Sequence, residues 1–237
     1  MKLLVTGGSG LMGKTLQPLW PADWTVAAPT REELDVTKRE SIKAAVKKYA
    51  PEVVLHLAAF TDVAAAEYRK KLAFTTNVYG TKELALRSPL FIYLSTEYVF
   101  DGERGGYHEG AIPNPVNFYA LTKLLGEYSA RAARRYCVIR TLFKPRPYEH
   151  PMVPTDMWTS GDYVDVIAKK LIVALAHAQD LPKTLHIGTG RKSLLELARQ
   201  TRKDVAAGSR LSLPVRLPRD TSLDTLQWDM LKWEVKE

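Results

Sequence analysis

The N-terminal segment joins a short apolar run, residues 2–6, directly to a glycine-rich turn, TGGSGLMG, at residues 6–13. Gly7, Gly10 and Gly13 give the spacing G-x-x-G-x-x-G, which lets a backbone turn tightly and approach a pyrophosphate at the start of a helix. A purely structural turn is the alternative. The motif, however, follows a strand and opens a helix, which is the context that phosphate binding requires. The segment therefore predicts a dinucleotide-binding unit.

Strands and helices alternate along the first part of the chain. Strand-like apolar runs lie at residues 2–6, 24–28, 52–60, 90–95 and 136–141. Helices are predicted at 62–87, at 117–134 and from the capping-box pattern TKRE at 37–40 to Pro51. Apolar strands separated by helices are typical of a parallel sheet covered on both faces. The pattern predicts an α/β fold with a Rossmann-type doubly wound parallel sheet over residues 1–141.

The alternation stops after residue 141. The segment KPRPYEHPMVP, residues 144–154, is rich in proline and cannot form a regular helix or a central strand. Regular structure returns with a helix near 162–178, a strand at 184–188 that rejoins the sheet, and a capping box, SLLE, at 193–196. We predict that residues 142–165 and 205–237 form a small C-terminal substrate-binding lobe over the carboxyl edge of the sheet, where ligands bind in such folds.

The composition suits a globular protein, with 46% hydrophobic and 25% charged residues in a chain of 237. The net charge of +8 raises the question of nucleic acid. The basic residues are scattered, however, and no recognition motif or basic stripe with interleaved aromatics appears. A pocket for an anionic small molecule accounts for the charge as well, because positive fields also steer phosphorylated substrates. We favour the pocket and expect no nucleic-acid partner.

Three further observations limit the class of protein. The single cysteine, Cys137, excludes an internal disulfide framework and fits a buried strand. The five histidines show no metal-ligand spacing, so no metal is expected. The apolar stretch 166–178 is interrupted by Lys169 and Lys170, and the N-terminus reaches glycine too early for a signal peptide. We expect no membrane association and a cytoplasmic location.

The residues after the second strand bear on which dinucleotide is bound. Sites for NAD usually place an acid there to hold the ribose 2′-hydroxyl. This chain has Thr30 and Arg31 at the turn with no acid before them. Arg31 can contact a 2′-phosphate with two hydrogen bonds. NADPH is therefore favoured, while Glu32 and Glu33 argue the other way and keep NADH open.

Tyr119 and Lys123 stand four residues apart in NFYALTKLLGE, so a helix places them on one face. A carbonyl that accepts hydride needs a proton donor on its oxygen, and a free tyrosine is a poor partner at neutral pH. A lysine one turn away stabilises the phenolate and lowers its pKa. Ser95 and Thr96 end the fourth strand on the ligand-binding edge and supply a hydroxyl. The set predicts acid–base chemistry beside a nicotinamide.

Seven motifs together resemble a known family. They are TGGSGLMG, REELDVT, VVLHLAAFTDVAAAE, NVYGT, YLSTEYVFDG, GYHEGAIPNPVNFYALTKLLGE and LPRDTSLDT. In this order they resemble the extended short-chain dehydrogenases/reductases, and within them the dTDP-4-dehydrorhamnose reductase (RmlD-like, sugar-nucleotide-binding) family. The resemblance covers most of residues 1–140 and returns in the tail. The chain departs from the family at residues 141–165, where a longer substrate-holding segment is replaced by a short one.

The resemblance implies roles for particular residues. Tyr119 would be the general acid, Lys123 would tune it and hold the nicotinamide ribose, and Thr96 would hydrogen-bond the substrate oxygen. Asp35 would hydrogen-bond the adenine amine, and Asn77 would brace the catalytic helix. For these last two, a helix cap or turn is the alternative. The implied cofactor-binding set is Gly7, Gly10, Leu11, Met12, Gly13, Thr30, Arg31, Asp35, Val36, Ala58, Ala59, Asn77, Tyr119 and Lys123.

The substrate side is less defined. The candidate substrate contacts are Ser95, Glu97, Trp158 and Arg219. Three of them have a structural alternative: Ser95 could support the strand end, Trp158 could be a packing residue, and Arg219 could be an ordinary surface arginine. Family dehydratases carry an acidic pair after the catalytic threonine. Here Glu97 is followed by Tyr98, which disfavours dehydration.

The resulting hypothesis is an NADPH-dependent oxidoreductase that transfers hydride to C4 of a nucleotide-linked 4-keto-6-deoxy sugar, as in dTDP-rhamnose biosynthesis. The alternatives are a non-catalytic NADP-binding regulatory subunit, resembling the β subunit of methionine adenosyltransferase, and a nucleotide-sugar epimerase with tightly held NAD. The expected partner is a small-molecule nucleotide sugar, and a homodimer is left open.

Overall fold

The computed structural model describes residues 1–231 and 233, and six parallel strands form its central sheet. The strands are β1 (Lys2–Thr6), β2 (Thr25–Ala27), β3 (Val53–His56), β4 (Leu90–Thr96), β5 (Arg135–Thr141) and β10 (Thr184–His186). Their order is β10-β5-β4-β3-β1-β2, and every pairing is parallel. The strand order reverses between β1 and β3, which is where such sheets open a ligand crevice. The predicted Rossmann-type sheet and the return of the strand near 184–188 are confirmed.

Helices cover both faces of this sheet. They are α1 (Leu11–Leu16), α2 (Arg39–Tyr49), α3 (Val63–Tyr68), α4 (Lys70–Phe74), α5 (Thr81–Ala85), α6 (Phe118–Ala130) and α7 (Val164–Ala176). Alternate strand residues enter two separate cores, as the period of two requires. Ile92 packs with α7 on one face, whereas Phe91 and Tyr93 pack towards α2, α5 and α6 on the other.

The remaining segments form short two-stranded pieces. They are β6 (Phe143–Lys144) with β9 (Asp162–Tyr163), β7 (Met152–Pro154) with β12 (Ala206–Gly208), and β8 (Trp158–Thr159) with β11 (Lys192–Ser193). Two short helices complete the set, α8 (Leu194–Arg199) and α9 (Leu226–Met230). The proline-rich segment 144–154 contains neither helix nor central strand, as predicted. These pieces share a buried cluster with Tyr98 and Ala120, so the C-terminal lobe packs beside the start of α6.

Several predicted boundaries differ from the structure. The capping box at 37–40 is wrong, because the Thr37 hydroxyl bonds the Asp35 carboxylate at 2.7 Å and α2 begins at Arg39. The second box is confirmed, with Ser193 and Glu196 bonding each other's backbone N–H. The stretch 62–87 breaks into α3, α4, a π-helical segment Thr75–Gly80 and α5.

Two further elements, one strand and one helix, are shorter than predicted. β3 ends at His56 rather than at residue 60, because the following residues leave the sheet to line a cleft. α6 ends at Ala130, four residues before the predicted end.

Cys137 is buried in β5, as expected. In the described part of the chain, no helix is long and apolar enough to cross a membrane.

Candidate active site

A cleft of about 680 Å³ opens at the carboxyl edge of the sheet, where the strand order reverses. Its wall comes from the glycine turn, the loop after β2, the loop after β3, the end of β4, the start of α6 and the residues after β5. Of the predicted residues, it is lined by Gly7, Gly10, Leu11, Met12, Gly13, Arg31, Asp35, Val36, Ala58, Ala59, Ser95, Thr96 and Tyr119. The topology thus brings thirteen predicted residues from five separate segments to one cavity.

The glycine turn packs too closely against its neighbours to carry side chains. Gly7 has a φ of 72°, and a Cβ there would lie 2.6 Å from the Ala58 backbone nitrogen. A Cβ on Gly13 would lie 2.5 Å from the Cα of Gly8. Glycine is therefore required at both positions, and bare backbone faces the cleft. This arrangement fits the approach of a pyrophosphate.

The loop after β2 carries the residues predicted to select the dinucleotide. Arg31 lines the cleft, but Thr30 does not among the residues described. The backbone N–H of Thr30 instead donates to the Glu33 carboxylate at 2.8 Å. Glu33, one of the two acids that argued against a 2′-phosphate, is thus engaged in closing the turn.

Asp35 closes a turn and also lines the cleft. Its carboxylate accepts the backbone N–H and the hydroxyl of Thr37, at 2.9 and 2.7 Å, and so closes a turn. Partial burial raises the pKa of Asp35, but the Thr37 hydrogen bonds and the Lys38 charge outweigh it and hold the pKa below its usual value. Asp35 also lines the cleft with Val36. A charged acceptor is therefore available there.

Thr96 and Tyr119 meet at the inner end of the cleft. Thr96 ends β4 and accepts a hydrogen bond from the Tyr98 backbone N–H at 3.2 Å. Tyr119 lies in the first turn of α6, which Asn117 caps by accepting the Ala120 N–H at 2.8 Å. Burial raises the pKa of Tyr119 to about 12, and its hydrogen bond to Thr96 lowers the pKa in part. At neutral pH the phenol is protonated and can donate.

Lys123 lies one helical turn after Tyr119 but behind the cleft wall, outside the described lining residues. Its amine donates to the Leu94 carbonyl at 2.7 Å and lies 4.2 Å from the centre of the Tyr93 ring. Burial lowers the pKa of Lys123 to about 7, while the Glu127 charge raises it in part. Contrary to the expected lowering by Lys123, the pKa of Tyr119 is raised, because Tyr119 is buried and the Lys123 amine is engaged with Leu94. The role of Lys123 towards the ribose stays a prediction.

Asn77 lies in the π-helical segment behind the cleft, and it is not among the described lining residues. Its side chain accepts from the Phe60 backbone N–H at 2.8 Å and donates to the Thr122 hydroxyl at 2.9 Å. It therefore ties the loop after β3 to α6. This is a bracing contact, and a direct contact with cofactor stays a prediction.

The four candidate substrate contacts are spread out. The Ser95 hydroxyl donates to Glu127 at 2.6 Å, so it supports the strand end while its residue lines the cleft. Glu97 is fully buried behind the wall and accepts from the Thr221 hydroxyl at 2.6 Å. Burial raises the pKa of Glu97 to about 7. Among the described residues neither Glu97, Trp158 nor Arg219 lines the main cleft.

Arg219 instead lines a second opening and contacts Trp158. The Arg219 guanidinium is 5.3 Å from the centre of the Trp158 ring. Arg219 also lines a cavity of about 300 Å³ with Asp101, Arg210 and Arg216. An anionic group would meet several arginines there.

The sequence analysis did not predict some of the residues that line the cleft. Among them are Phe60, Arg69, Tyr98 and Lys144. Phe60 follows the predicted Ala58 and Ala59 directly, so its proximity could have been inferred. Lys144 lies in the proline-rich segment, where no motif indicated its position. Burial lowers the pKa of Lys144, and the charge of Glu97 raises it in part.

Comparisons with known proteins agree with this geometry. The chain is 40% identical over 130 residues to a dTDP-4-keto-6-deoxy-D-glucose reductase of Streptomyces niveus, covering 52% of this chain and 45% of that protein. It is 33% identical over 138 residues to methionine adenosyltransferase 2 subunit beta of Xenopus tropicalis, covering 53% and 41%. The chain thus spans about half the length of these curated relatives.

A solved structure extends the likeness along the whole chain. The dTDP-4-dehydrorhamnose reductase of Bacillus anthracis, in complex with NADP, superposes with a TM-score of 0.83 at 26% identity. The match covers 98% of this chain and 93% of that one.

The parallel sheet, the glycine turn at its switch point and the tyrosine–lysine helix beside one cleft define an extended short-chain dehydrogenase/reductase fold. The sequence model of the RmlD substrate binding domain matches residues 1–146, which is more than half of the chain. The chain belongs to the RmlD substrate binding domain family.

Proposed function

We propose that the protein is an NADPH-dependent reductase of a dTDP-linked 4-keto-6-deoxy sugar. The observation that carries this proposal is the placement of Thr96 and Tyr119 together in the lining of the cleft that also contains the glycine turn. The names of the Streptomyces and Bacillus relatives support the same substrate class.

The residues of the cleft fit a dinucleotide. The turn at Gly7 and Gly13 leaves backbone uncovered where a pyrophosphate would lie. Arg31 would hold a 2′-phosphate, and Asp35 would accept the adenine amine. The cleft volume of about 680 Å³ is that of a site for a ligand of this size. When bound, NADPH would supply the hydride.

The chain's own residues would supply the proton and the polarisation. Tyr119 would donate its phenolic proton to the sugar oxygen, because its raised pKa keeps it protonated at neutral pH. Thr96 would donate a hydrogen bond to the same oxygen. Lys123, if charged, would stabilise the phenolate left after proton transfer.

The sugar nucleotide would extend from Tyr119 towards the C-terminal lobe. Tyr119 shares its buried cluster with Leu217, and Leu217 lines the second cavity together with Arg219. The arginines there would contact a diphosphate, and Trp158 would offer a ring for stacking. We propose this route as the substrate path.

A second candidate is a non-catalytic NADP-binding subunit. The 33% identity to methionine adenosyltransferase 2 subunit beta favours it, as does the short segment after β5. Such a protein would keep the cofactor cleft but would not turn over a sugar. An epimerase is the third reading, and it would retain NAD without net oxidation of added cofactor.

The test is NADPH oxidation with dTDP-4-keto-6-deoxyglucose, followed by the absorbance of the reduced nicotinamide. Tyr119→Phe should lower kcat at least about a hundredfold, since general acid catalysis contributes that much. Tyr128→Phe is the matched control, because Tyr128 lies on the same helix but is exposed and away from the cleft. Tight NADPH binding with no turnover of any nucleotide sugar would contradict the reductase and favour the subunit.

A further inference from the structure

A buried ion pair lies directly behind the catalytic helix. Glu127 of α6 and Arg140 of β5 are each 6% exposed in their side chains. Two hydrogen bonds join them, from Arg140 Nε at 3.0 Å and from Nη2 at 2.8 Å. The Ser95 hydroxyl donates a third bond to the same carboxylate at 2.6 Å. The Glu127 carboxylate is therefore fixed in position by charge-assisted hydrogen bonds.

Glu127 continues the spacing of the catalytic residues. Tyr119, Lys123 and Glu127 follow one another at intervals of four along α6, so they share one face of the helix. Ser95 precedes Thr96 on β4. The carboxylate thus contacts the strand that carries the predicted catalytic hydroxyl, and it lies one turn from the amine.

Burial disfavours the charged form of Lys123. The hydrogen bond that the amine donates to the Leu94 carbonyl and its position over the Tyr93 ring suit an ammonium, but neither contact carries a negative charge. From β3 it faces His56, whose pKa burial lowers to about 3, so His56 is neutral. Burial raises the pKa of Tyr93 of β4 far above its usual value, so it is neutral as well.

The remaining charge in this region comes from the ion pair. Arg140 of β5 is cationic and is bonded to Glu127. Burial lowers the pKa of Lys123, and among the described groups the Glu127 carboxylate is the one that raises it.

We propose that Glu127, anchored by Arg140 and Ser95, is a positioning residue that keeps the Lys123 amine in its ammonium form beside Tyr119. This inference deepens the proposed function and rests on it for its effect on turnover. The charge balance itself is a property of the free protein. It can therefore be tested without any sugar substrate.

The direct test is an NMR titration of the lysine ε-methylene groups, with the Lys123 signal assigned by its absence in Lys123→Met. Glu127→Gln should lower the pKa of Lys123 by about one unit or more, because it removes the neighbouring opposite charge. The matched control is Glu83→Gln, which removes a comparably buried carboxylate of α5 that is bonded to Arg87 at 2.8 Å and is distant from Lys123 in sequence. An unchanged Lys123 pKa in Glu127→Gln would overturn the proposal.

Glu127→Gln also leaves Arg140 buried without its anion, which destabilises the fold. The double variant E127Q/R140Q removes both charges and avoids this problem. It should lower the Lys123 pKa by less than Glu127→Gln does, because the opposing Arg140 charge is lost as well, with a cooperative thermal transition as the check on folding. A folded double variant whose Lys123 pKa is higher than that of the wild type would overturn the proposal.

The kinetic test separates this inference from the proposed function. If the ammonium form is required, kcat/KM falls as pH rises through the pKa of Lys123. Glu127→Gln should therefore move the alkaline limb of the profile to lower pH by the same shift that NMR reports. A wild type without turnover would sink the proposed function and leave the NMR test intact. If Glu127→Gln turns over substrate with the alkaline limb of its pH profile and its Lys123 pKa unchanged, only the role proposed for Glu127 would be wrong.

Discussion

Arg31 is the residue on which the proposed preference for NADPH rests. It lines the cleft from the loop after β2, while neighbouring Glu33 is engaged with the Thr30 backbone. Arg31→Ala should raise KM for NADPH about tenfold or more, because a charge-assisted hydrogen bond to phosphate contributes about 1.5–3 kcal/mol. KM for NADH, which has no such phosphate, should change little. Steady-state kinetics with both cofactors measure the difference.

Arg134→Ala is the control for this substitution. Arg134 is exposed and lies just before β5, at the amino end of the sheet and away from the cleft. It should leave both KM values as in the wild type. Equal changes for NADPH and NADH in Arg31→Ala would mean that Arg31 contacts a part common to both cofactors, and the predicted NADPH preference would then lose its basis.

For individual residues, the sequence analysis was more accurate for residues that end or directly follow a strand than for residues that lie behind the cleft wall. Gly7, Ala58 and Thr96 line the cleft because each follows or ends a parallel strand, and parallel strands end at one edge. Lys123 and Asn77 were placed on the correct elements, but their side chains point behind the wall. Sequence spacing fixes the face of a helix, and it does not fix the rotamer of a long side chain.

At the scale of elements, the start of α6 controls the position of Tyr119. Asn117 caps the helix through the Ala120 N–H and also donates to the Arg216 carbonyl at 3.0 Å, which links the helix to the C-terminal lobe. Asn117→Ala should cost about 1 kcal/mol of stability. It should also lower kcat severalfold, because the first turn carrying Tyr119 would fray. Chemical denaturation and initial rates are the two measurements.

The comparison for this variant is Ser193→Ala, which removes the cap of α8. It should cost a similar free energy of unfolding with kcat unchanged, since α8 carries none of the described lining residues. If Ser193→Ala lowered kcat as much as Asn117→Ala, the loss would reflect general destabilisation and not the placement of Tyr119.

Elements were predicted unevenly for a physical reason. The strands and α6 have clear apolar patterns, and their predicted ends lie within a few residues of the ends in the structure. The stretch 62–87 was predicted as helical throughout, yet it contains a π-helical turn at Thr75–Gly80. There a Cβ on Gly80 would lie 2.4 Å from the Val36 carbonyl oxygen. That packing is a tertiary contact, and local propensity carries no sign of it.

At the scale of the whole molecule, buried histidines make stability depend on pH. His56 is buried between β1 and α5, bonding Thr6 at 2.6 Å and Thr81 at 3.1 Å. Burial lowers the pKa of His56 to about 3 from 6.5, so the folded protein binds fewer protons than the unfolded chain. This contribution to stability is therefore present above pH 6.5 and is lost as pH falls towards 3. Between pH 7 and pH 5 it should decline by about 2 kcal/mol.

His56→Gln removes the titrating group while retaining hydrogen-bonding atoms. The variant should lose about 2 kcal/mol less than the wild type between pH 7 and pH 5, measured by urea denaturation at the two values. His108→Gln, at an exposed position, should lose as much as the wild type. Glu97 acts in the opposite direction, because burial raises its pKa to about 7 and the folded protein then gains stability on acidification. Since Glu97 is present in all three proteins, its contribution cancels in the difference. Equal losses in His56→Gln and in the wild type would show that His56 does not titrate on unfolding.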